Sequence, residues 1–273
     1  MIYEEKTKII QESARKLLLD KKADVIIAYR GGGLSGLQVP FIVNHPDEVK
    51  DIEWGDRCWQ NLAKYLLGID KKAGIVAKPC DSRAINEYIK ENQVKRENVH
   101  IISVECSGIV DENGDLRPGC AECGDRISLP GIKEAAEEKE SLAGDFAKFR
   151  KEIDKCILCF ACRQACFGCY CKSCFIEREV PDWQPADIDA GTKMTFHLGR
   201  AMHLAGRCVE CGSCEASCQS GVNVRYITKE VSDFIYEVYG YKAGMDADEK
   251  SALLTHSPDD SEIGFLGGEG IGR

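Results

Sequence analysis

Sixteen cysteines in 273 residues, most of them in short-spaced groups, are the side chains through which this sequence could do chemistry. Cys156, Cys159, Cys162 and Cys166, in CILCFACRQAC, follow the spacing Cys-x2-Cys-x2-Cys-x3-Cys. Cys208, Cys211, Cys214 and Cys218, in CVECGSCEASC, repeat it. A loop of this spacing wraps three thiolates around one iron–sulfur cubane, and the fourth thiolate, on the helix that follows, reaches the other cluster of a pair. The pattern therefore assigns Cys156, Cys159, Cys162 and Cys218 to one [4Fe–4S] cluster. Cys208, Cys211, Cys214 and Cys166 fall to the other.

The remaining cysteines need elements to bring them together. Gly74–Lys78 reads as a strand, Ser82–Asn92 as a helix and Val99–Glu105 as a second strand, a β-α-β unit whose crossover makes the strands parallel. Cys80 and Cys106 then sit just past the carboxyl ends of the two strands, the edge at which open α/β sheets place their sites. The following loop has an Asn113–Gly114 turn and brings Cys120 and Cys123 to the same edge. Four thiolates there make a metal site, for an iron–sulfur cluster by analogy with the neighbouring motifs, or for zinc, which also takes four cysteines. Cys169, Cys171 and Cys174 are surplus to a two-cluster ferredoxin. By subtraction their fourth partner is Cys58, with exchange of Cys58 for Cys80 or Cys106 left open.

Other elements read in turn. Residues 4–19 form an amphipathic helix with Ile10, Ala14, Leu17 and Leu18 inward. Asp24–Tyr29 is a buried strand leading into RGGGLSG. There Gly31, Gly33 and Gly36 satisfy G-x-G-x-x-G in form, but Pro40 and the apolar Phe41–Val43 follow where a dinucleotide loop needs a helix. A glycine turn between two strands is expected. RCWQNLAKYLL predicts a helix over 57–67 with Cys58 in its first turn, where the dipole favours a thiolate. A helix over 194–206 carries His197 and His203 in packing roles, and another over 224–239 stops at Gly240. The domains expected are 1–130, an α/β domain with a partly parallel sheet; 131–155, a charged helical linker; 156–240, a two-cluster ferredoxin-like α+β domain; and 241–273, an acidic tail.

A net charge of −9 argues against general nucleic-acid binding, which needs a basic surface. No apolar run reaches membrane-span length and no secretory leader follows MIYEEKTK, so thiols rather than disulfides are expected, in the cytoplasm.

RCWQNLAKYL, AKPCDSRAINEYI with ISVECSG, CILCFACRQACFGCYCKSCF and HLAGRCVECGSCEASC, in this order, resemble the iron–sulfur beta subunits of the hydrogenase and formate-dehydrogenase beta family. Within it they are most similar to the branch encoded with heterodisulfide-reductase-like, electron-bifurcating complexes. The resemblance implies an α/β domain followed by a two-cluster ferredoxin domain, with cluster ligands at Cys58, Cys80, Cys106, Cys120, Cys123 and the ferredoxin-half cysteines. It also implies partners: a catalytic dehydrogenase, hydrogenase or reductase subunit, and a heterodisulfide-reductase-like or flavin subunit. The sequence departs from the family where Phe167 and Gln219 replace the prolines that usually follow the last cysteine of each motif. It also shows no counterpart of the flavin loop of the deazaflavin-reducing members.

The reading that follows is an electron-transfer subunit with two, and up to four, [4Fe–4S] clusters inside a larger oxidoreductase. No acid–base pair or nucleophile–base pair competes with the thiols. Two alternatives are a flavin-bearing subunit that exchanges hydride with a deazaflavin or nicotinamide, and a module whose four N-terminal cysteines hold structural zinc.

Overall fold

The computed structural model describes residues 2–33, 36–127, 146–177 and 188–253. Helix α1 (Ile2–Leu19) buries Ile10, Ala14 and Leu18, at i, i+4 and i+8, against a four-stranded sheet. The strands are β1 (Val25–Gly31), β2 (Gln38–Val43), β3 (Ala73–Ala77) and β4 (Val99–Ser103), in the order β2-β1-β3-β4. β1 pairs β2 antiparallel, from Ile26 opposite Val43 to Gly31 opposite Gln38, while β3 runs parallel to both β1 and β4. The glycine segment is thus a turn between two strands, closed by the Gly32 N–H donating to the Leu37 carbonyl. Leu34 and Ser35 lie outside the described residues.

All five residues of β3 are buried, as an apolar run covered on both faces should be. From its end α2 (Pro79–Lys90) begins with Pro79 at the first position, where a missing N–H costs nothing. The helix crosses back to β4, completing the β-α-β unit. Val104 extends the β3–β4 pairing with an N–H to the Ala77 carbonyl at 2.9 Å. Cys80 and Cys106 therefore leave the sheet from the same edge.

The segment 57–67 departs from its helical pattern. It is a loop ending in a 3-10 turn, Leu62–Leu66. The Asn61 side chain accepts from the Ala63 N–H, and the Gln60 carbonyl is taken by Tyr29 Oη and Lys78 Nζ, so tertiary bonds occupy groups that an α-helix would need. Cys58 is consequently not in a helix N-terminus but fully buried in the core.

The second half is built of helices and loops: α3 (Pro118–Ala121), α4 (Phe146–Asp154), α5 (Ala161–Ala165), α6 (Ala190–His203), α7 (Ser213–Ala216) and α8 (Arg225–Tyr239). Among its described residues from 146 onward there is no strand, so the β component expected of a ferredoxin-like α+β domain is not seen. Its flanking apolar residues sit at helical spacing, Phe149 and Ile153 on α4. They close a small core with Cys162, Phe196, Val222 and Val224. Residues 131–145 of the expected linker lie outside the described residues, and its final stretch is this helix, which buries Phe149 and Ile153 while Ala147, Lys148, Arg150, Lys151 and Asp154 are exposed. The tail from residue 254 onward lies outside them too.

The main core spans both halves, joining Phe167, Val209, Ile235 and Tyr241 to the sheet residues. Polar bonds cross the same seam. Tyr88 Oη donates to the Phe167 carbonyl at 2.6 Å, and Lys64 Nζ donates to the Cys166 carbonyl at 2.9 Å. Residues 241–244 strap over α2: the Gly244 N–H reaches Glu87 Oε1 and Arg83 Nε reaches the Ala243 carbonyl. At Gly244 φ is +76°, and an added Cβ would stand 2.3 Å from the Arg83 carbonyl oxygen. Gly244→Ala is therefore expected to cost roughly 2–4 kcal/mol, a left-handed residue and a backbone clash together. A fall in the urea midpoint at unchanged slope measures it.

Candidate metal centres

The two cysteine motifs share one backbone design. Leu158 and Phe160 in the first loop have φ of 52° and 58°; Glu210 and Gly212, at the same offsets in the second, have φ of 56° and 71°. Three of these four are not glycine, and left-handed backbone there costs about 1–2 kcal/mol each. Such strain persists where the surroundings over-determine it. Its effect is to curl each loop so that backbone N–H groups face sulfur. The Leu158 N–H points at Cys156 Sγ at 3.3 Å, and the Glu210 N–H acts on Cys208 in the same way. Each loop then enters a short helix, α5 or α7, and these pack on one another.

That packing crosses the final cysteines over. The thiols acting on Cys156 are Cys218 and Cys159, and those acting on Cys162 are Cys156 and Cys218. Around Cys208 stand Cys214, Cys166 and Cys211. Cys218 thus faces the first loop and Cys166 the second.

Cys80, Cys106, Cys120 and Cys123 line one cavity of about 420 Å³ at the carboxyl edge of the sheet, and Cys211 reaches its wall. Cys106 and Cys123 both act on Cys120, and Cys106 and Cys211 on Cys80. Under this cavity lies a buried ion pair. Lys78 Nζ stands 2.8 Å from Asp81 Oδ2 and 2.5 Å from Tyr29 Oη. Asp81 also accepts from the Leu62 and Lys78 N–H groups at 2.8 and 2.9 Å. Burial alone would lower the Lys78 pKa, but Asp81 and Tyr29 outweigh it and the ammonium stays charged. Asn61 Nδ2 holds the Cys80 carbonyl at 3.1 Å, and the Asn61 N–H donates to Ser213 Oγ at 3.0 Å. One loop therefore ties the sheet edge to α7.

Cys169, Cys171 and Cys174 line a second cavity, of about 250 Å³, with Arg163, Arg200 and Arg207. Cys58 is not there. Its thiol accepts from the Gly55 N–H at 3.5 Å and faces Lys78 and Cys106. Cys58 thus stands by Cys106 rather than by the trio, in line with the exchange that the sequence left open, and burial pushes its thiol up to about 12.

Most thiols follow the same direction, with burial raising Cys208 to about 12 and Cys120, Cys162, Cys211 and Cys214 to about 11. Cys166 is pulled down instead, by a hydrogen bond from Cys169 and by the charges of Arg200 and Lys64, against its burial. Among the described residues no three His, Cys, Asp or Glu side chains gather closely enough to hold a single metal ion. The crossed donor sets are sulfur-rich and faced by N–H groups, a chemistry that suits thiolate-bound iron–sulfur clusters.

One polar residue here escaped notice in the sequence. Arg200 is buried on α6 among Cys214, Cys166, Cys169 and Cys162, and among the described residues no carboxylate pairs with it. A signal was present: it lies at i+4 from Phe196 and i−4 from Leu204, on the apolar face. His197, one residue past Phe196, is buried with Nε2 unbonded, and desolvation with Arg200 lowers its pKa from 6.5 to about 4. Between those values the unfolded chain holds a proton that the folded protein refuses. Stability therefore falls as pH drops through that window, by up to about 3 kcal/mol. His197→Leu should flatten this part of the stability–pH curve relative to the parent, measured by urea unfolding from pH 7 to 4.5.

No family model matches the chain. Curated relatives do, among them two formate dehydrogenase subunits. The F420-dependent formate dehydrogenase subunit beta of Methanocaldococcus jannaschii is 22% identical over 347 residues, covering 85% of this chain and 90% of the relative. The F420-dependent formate dehydrogenase 1 subunit beta of Methanococcus maripaludis is 32% identical over 100 residues, 35% of this chain and 26% of that one. The likeness supports the formate dehydrogenase beta-subunit family. Among the described residues no helix is long and apolar enough to cross a membrane.

Proposed function

We propose that the chain is an iron–sulfur electron-transfer subunit of a multi-subunit oxidoreductase in a reducing, cytoplasmic setting. The subunit relays electrons between a catalytic subunit and a heterodisulfide-reductase-like or flavin module. The observation that carries the reading is the crossed arrangement, in which Cys218 faces the first loop and Cys166 the second. Likeness to proteins named as beta subunits supports membership of a complex. In this reading Cys156, Cys159, Cys162 and Cys218 hold one [4Fe–4S] cluster, and Cys208, Cys211, Cys214 and Cys166 a second. Cys80, Cys106, Cys120 and Cys123 hold a third. Cys58 backs that third set, and the cysteine trio forms a further site. When bound, such clusters supply one-electron carriers whose potential the surrounding charge and hydrogen bonding set.

The protein supplies the order of the wire. Cys214 of the second set lies by Cys162 of the first, Cys211 by Cys80 of the third, and Cys166 by Cys169 of the trio. In this reading the second set is a hub that neighbours each of the others. Anaerobic purification followed by iron and sulfide assay tests the reading. About eight irons per chain or more are expected, from two cubanes upward; a folded, colourless chain without iron would refute it.

The names of both relatives favour a second reading, in which the chain also meets a deazaflavin through a bound flavin. Gly31 and Gly33 are its candidate contacts, in the turn that ends β1. Flavin absorbance after reconstitution, lost in a Gly33→Val variant, would support it.

A further inference from the structure

We propose that Cys169, Cys171 and Cys174 hold a cubane through three thiolates alone, leaving one iron facing a cation-lined cavity that takes a small anionic ligand. This deepens the reading above and rests on it.

All sixteen cysteines have described positions, so the accounting is complete. Four surround the first loop, four the second and four the sheet edge, while Cys58 is shut inside the α/β core facing Cys106. Among the described residues no further cysteine lines the trio's cavity, and Cys166, to which Cys169 donates a hydrogen bond, is counted with the second loop. In place of a fourth thiolate the cavity presents cations: Arg163, Lys172, Arg200 and Arg207. Among the described residues its one carboxylate, Glu177, is held by Arg163 at 2.7 Å.

Two of those guanidiniums each keep one donor without a partner among the described residues: Nε of Arg200, a 4% exposed side chain that otherwise reaches the Cys162 carbonyl and the Cys169 and Cys214 thiols, and Nη1 of Arg163, which otherwise binds Glu177 and Cys174. A buried cation with unsatisfied donors is costly unless negative charge is brought to it. A thiolate-ligated cluster brings such charge from one side. A small anion on the fourth iron would bring it from the other, within reach of planar guanidinium forks suited to carboxylates and oxyanions. The cavity volume of about 250 Å³ leaves room for both.

The test uses the full chain, reconstituted anaerobically and oxidised with limiting ferricyanide in the presence of a ferrous chelator. A cubane with an open iron then releases it: [4Fe–4S]2+ gives [3Fe–4S]+ and Fe2+, with one electron passing to ferricyanide. Expected is the early loss of one iron per chain, a new paramagnetic three-iron signal, and refilling by ferrous iron. The signal should be absent from Cys171→Ser and unchanged in Cys58→Ala, or in Cys58→Ser if the alanine variant fails to fold. Cyanide, as the anionic probe, should shift the spectrum of the reduced cluster in the parent and do so more weakly in Arg200→Gln. A fully loaded chain with no labile iron would overturn the proposal. So would a labile iron that appears in Cys58→Ala or His203→Ala but not in the parent, since either residue would then be the fourth ligand. A chain that takes up no iron at all would overturn the cluster reading itself.

Discussion

Asp81→Ala is expected to cost about 3–5 kcal/mol, the toll for leaving one partner of a buried ion pair uncompensated. Lys78 and Asp81 are 2% and 0% exposed in their side chains. Removing the carboxylate strands the ammonium with Tyr29 Oη and the Gln60 carbonyl, and it deprives two backbone N–H groups of their acceptor. Domains of ordinary stability have about 5–15 kcal/mol in all, so such a variant stands near the edge of folding. The same carboxylate joins the start of α2 to the 3-10 turn at Leu62, so the loss should reach Cys80 before the rest of the protein. The measurement is a pair of urea curves, with the double variant Lys78→Met/Asp81→Leu as the control. If the pair is simply a buried ionic contact, the double variant recovers the share of the loss owed to the stranded ammonium, while the share owed to the two orphaned N–H groups remains. If instead Lys78 is kept for its charge beneath the cysteine cavity, the double variant folds but holds its cluster at a more negative potential.

How much of this could be read from the chain depends on whether the signal was local. Val25–Tyr29 and Ala73–Ala77 are apolar runs too short for helices, and a helical stretch between the second and Val99 forces a parallel crossover. The positions of Cys80 and Cys106 follow from those facts alone. The proposed crossing of Cys166 and Cys218 is also local, because a repeated spacing implies it. Cys58 was not. Trp59, Leu62 and Leu66 have helical spacing, and nothing nearby says that Lys78, some twenty residues on, takes the Gln60 carbonyl. Counting thiols could then only assign Cys58 to whichever set was short. The left-handed Leu158, Phe160 and Glu210 were equally invisible, since none is a residue type that announces positive φ. They become intelligible once the N–H groups they turn toward sulfur are seen.

Cys166→Ala and Cys218→Ala should each remove one cluster, and each the cluster of the opposite loop. The parent chain, reduced stepwise and followed by paramagnetic resonance, gives the reference signals. Cys218→Ala should lose the signal that Cys159→Ala loses, and Cys166→Ala the one that Cys211→Ala loses. An uncrossed arrangement would reverse the pairing, so the four spectra decide it. Alanine is preferred to serine because an alkoxide can keep iron in place. The two losses should differ in consequence. The first set touches the second through Cys162 and Cys214, and its removal shortens the wire at one end. The second set adjoins the first, the sheet-edge set and the trio, through Cys214, Cys211 and Cys166. Emptying it separates all three from one another. Cys211→Ala should therefore abolish electron passage through the subunit in the assembled complex, while Cys159→Ala leaves transfer between the sheet-edge set and the hub intact. Equal losses in the two variants would mean that electrons must enter or leave through the first set.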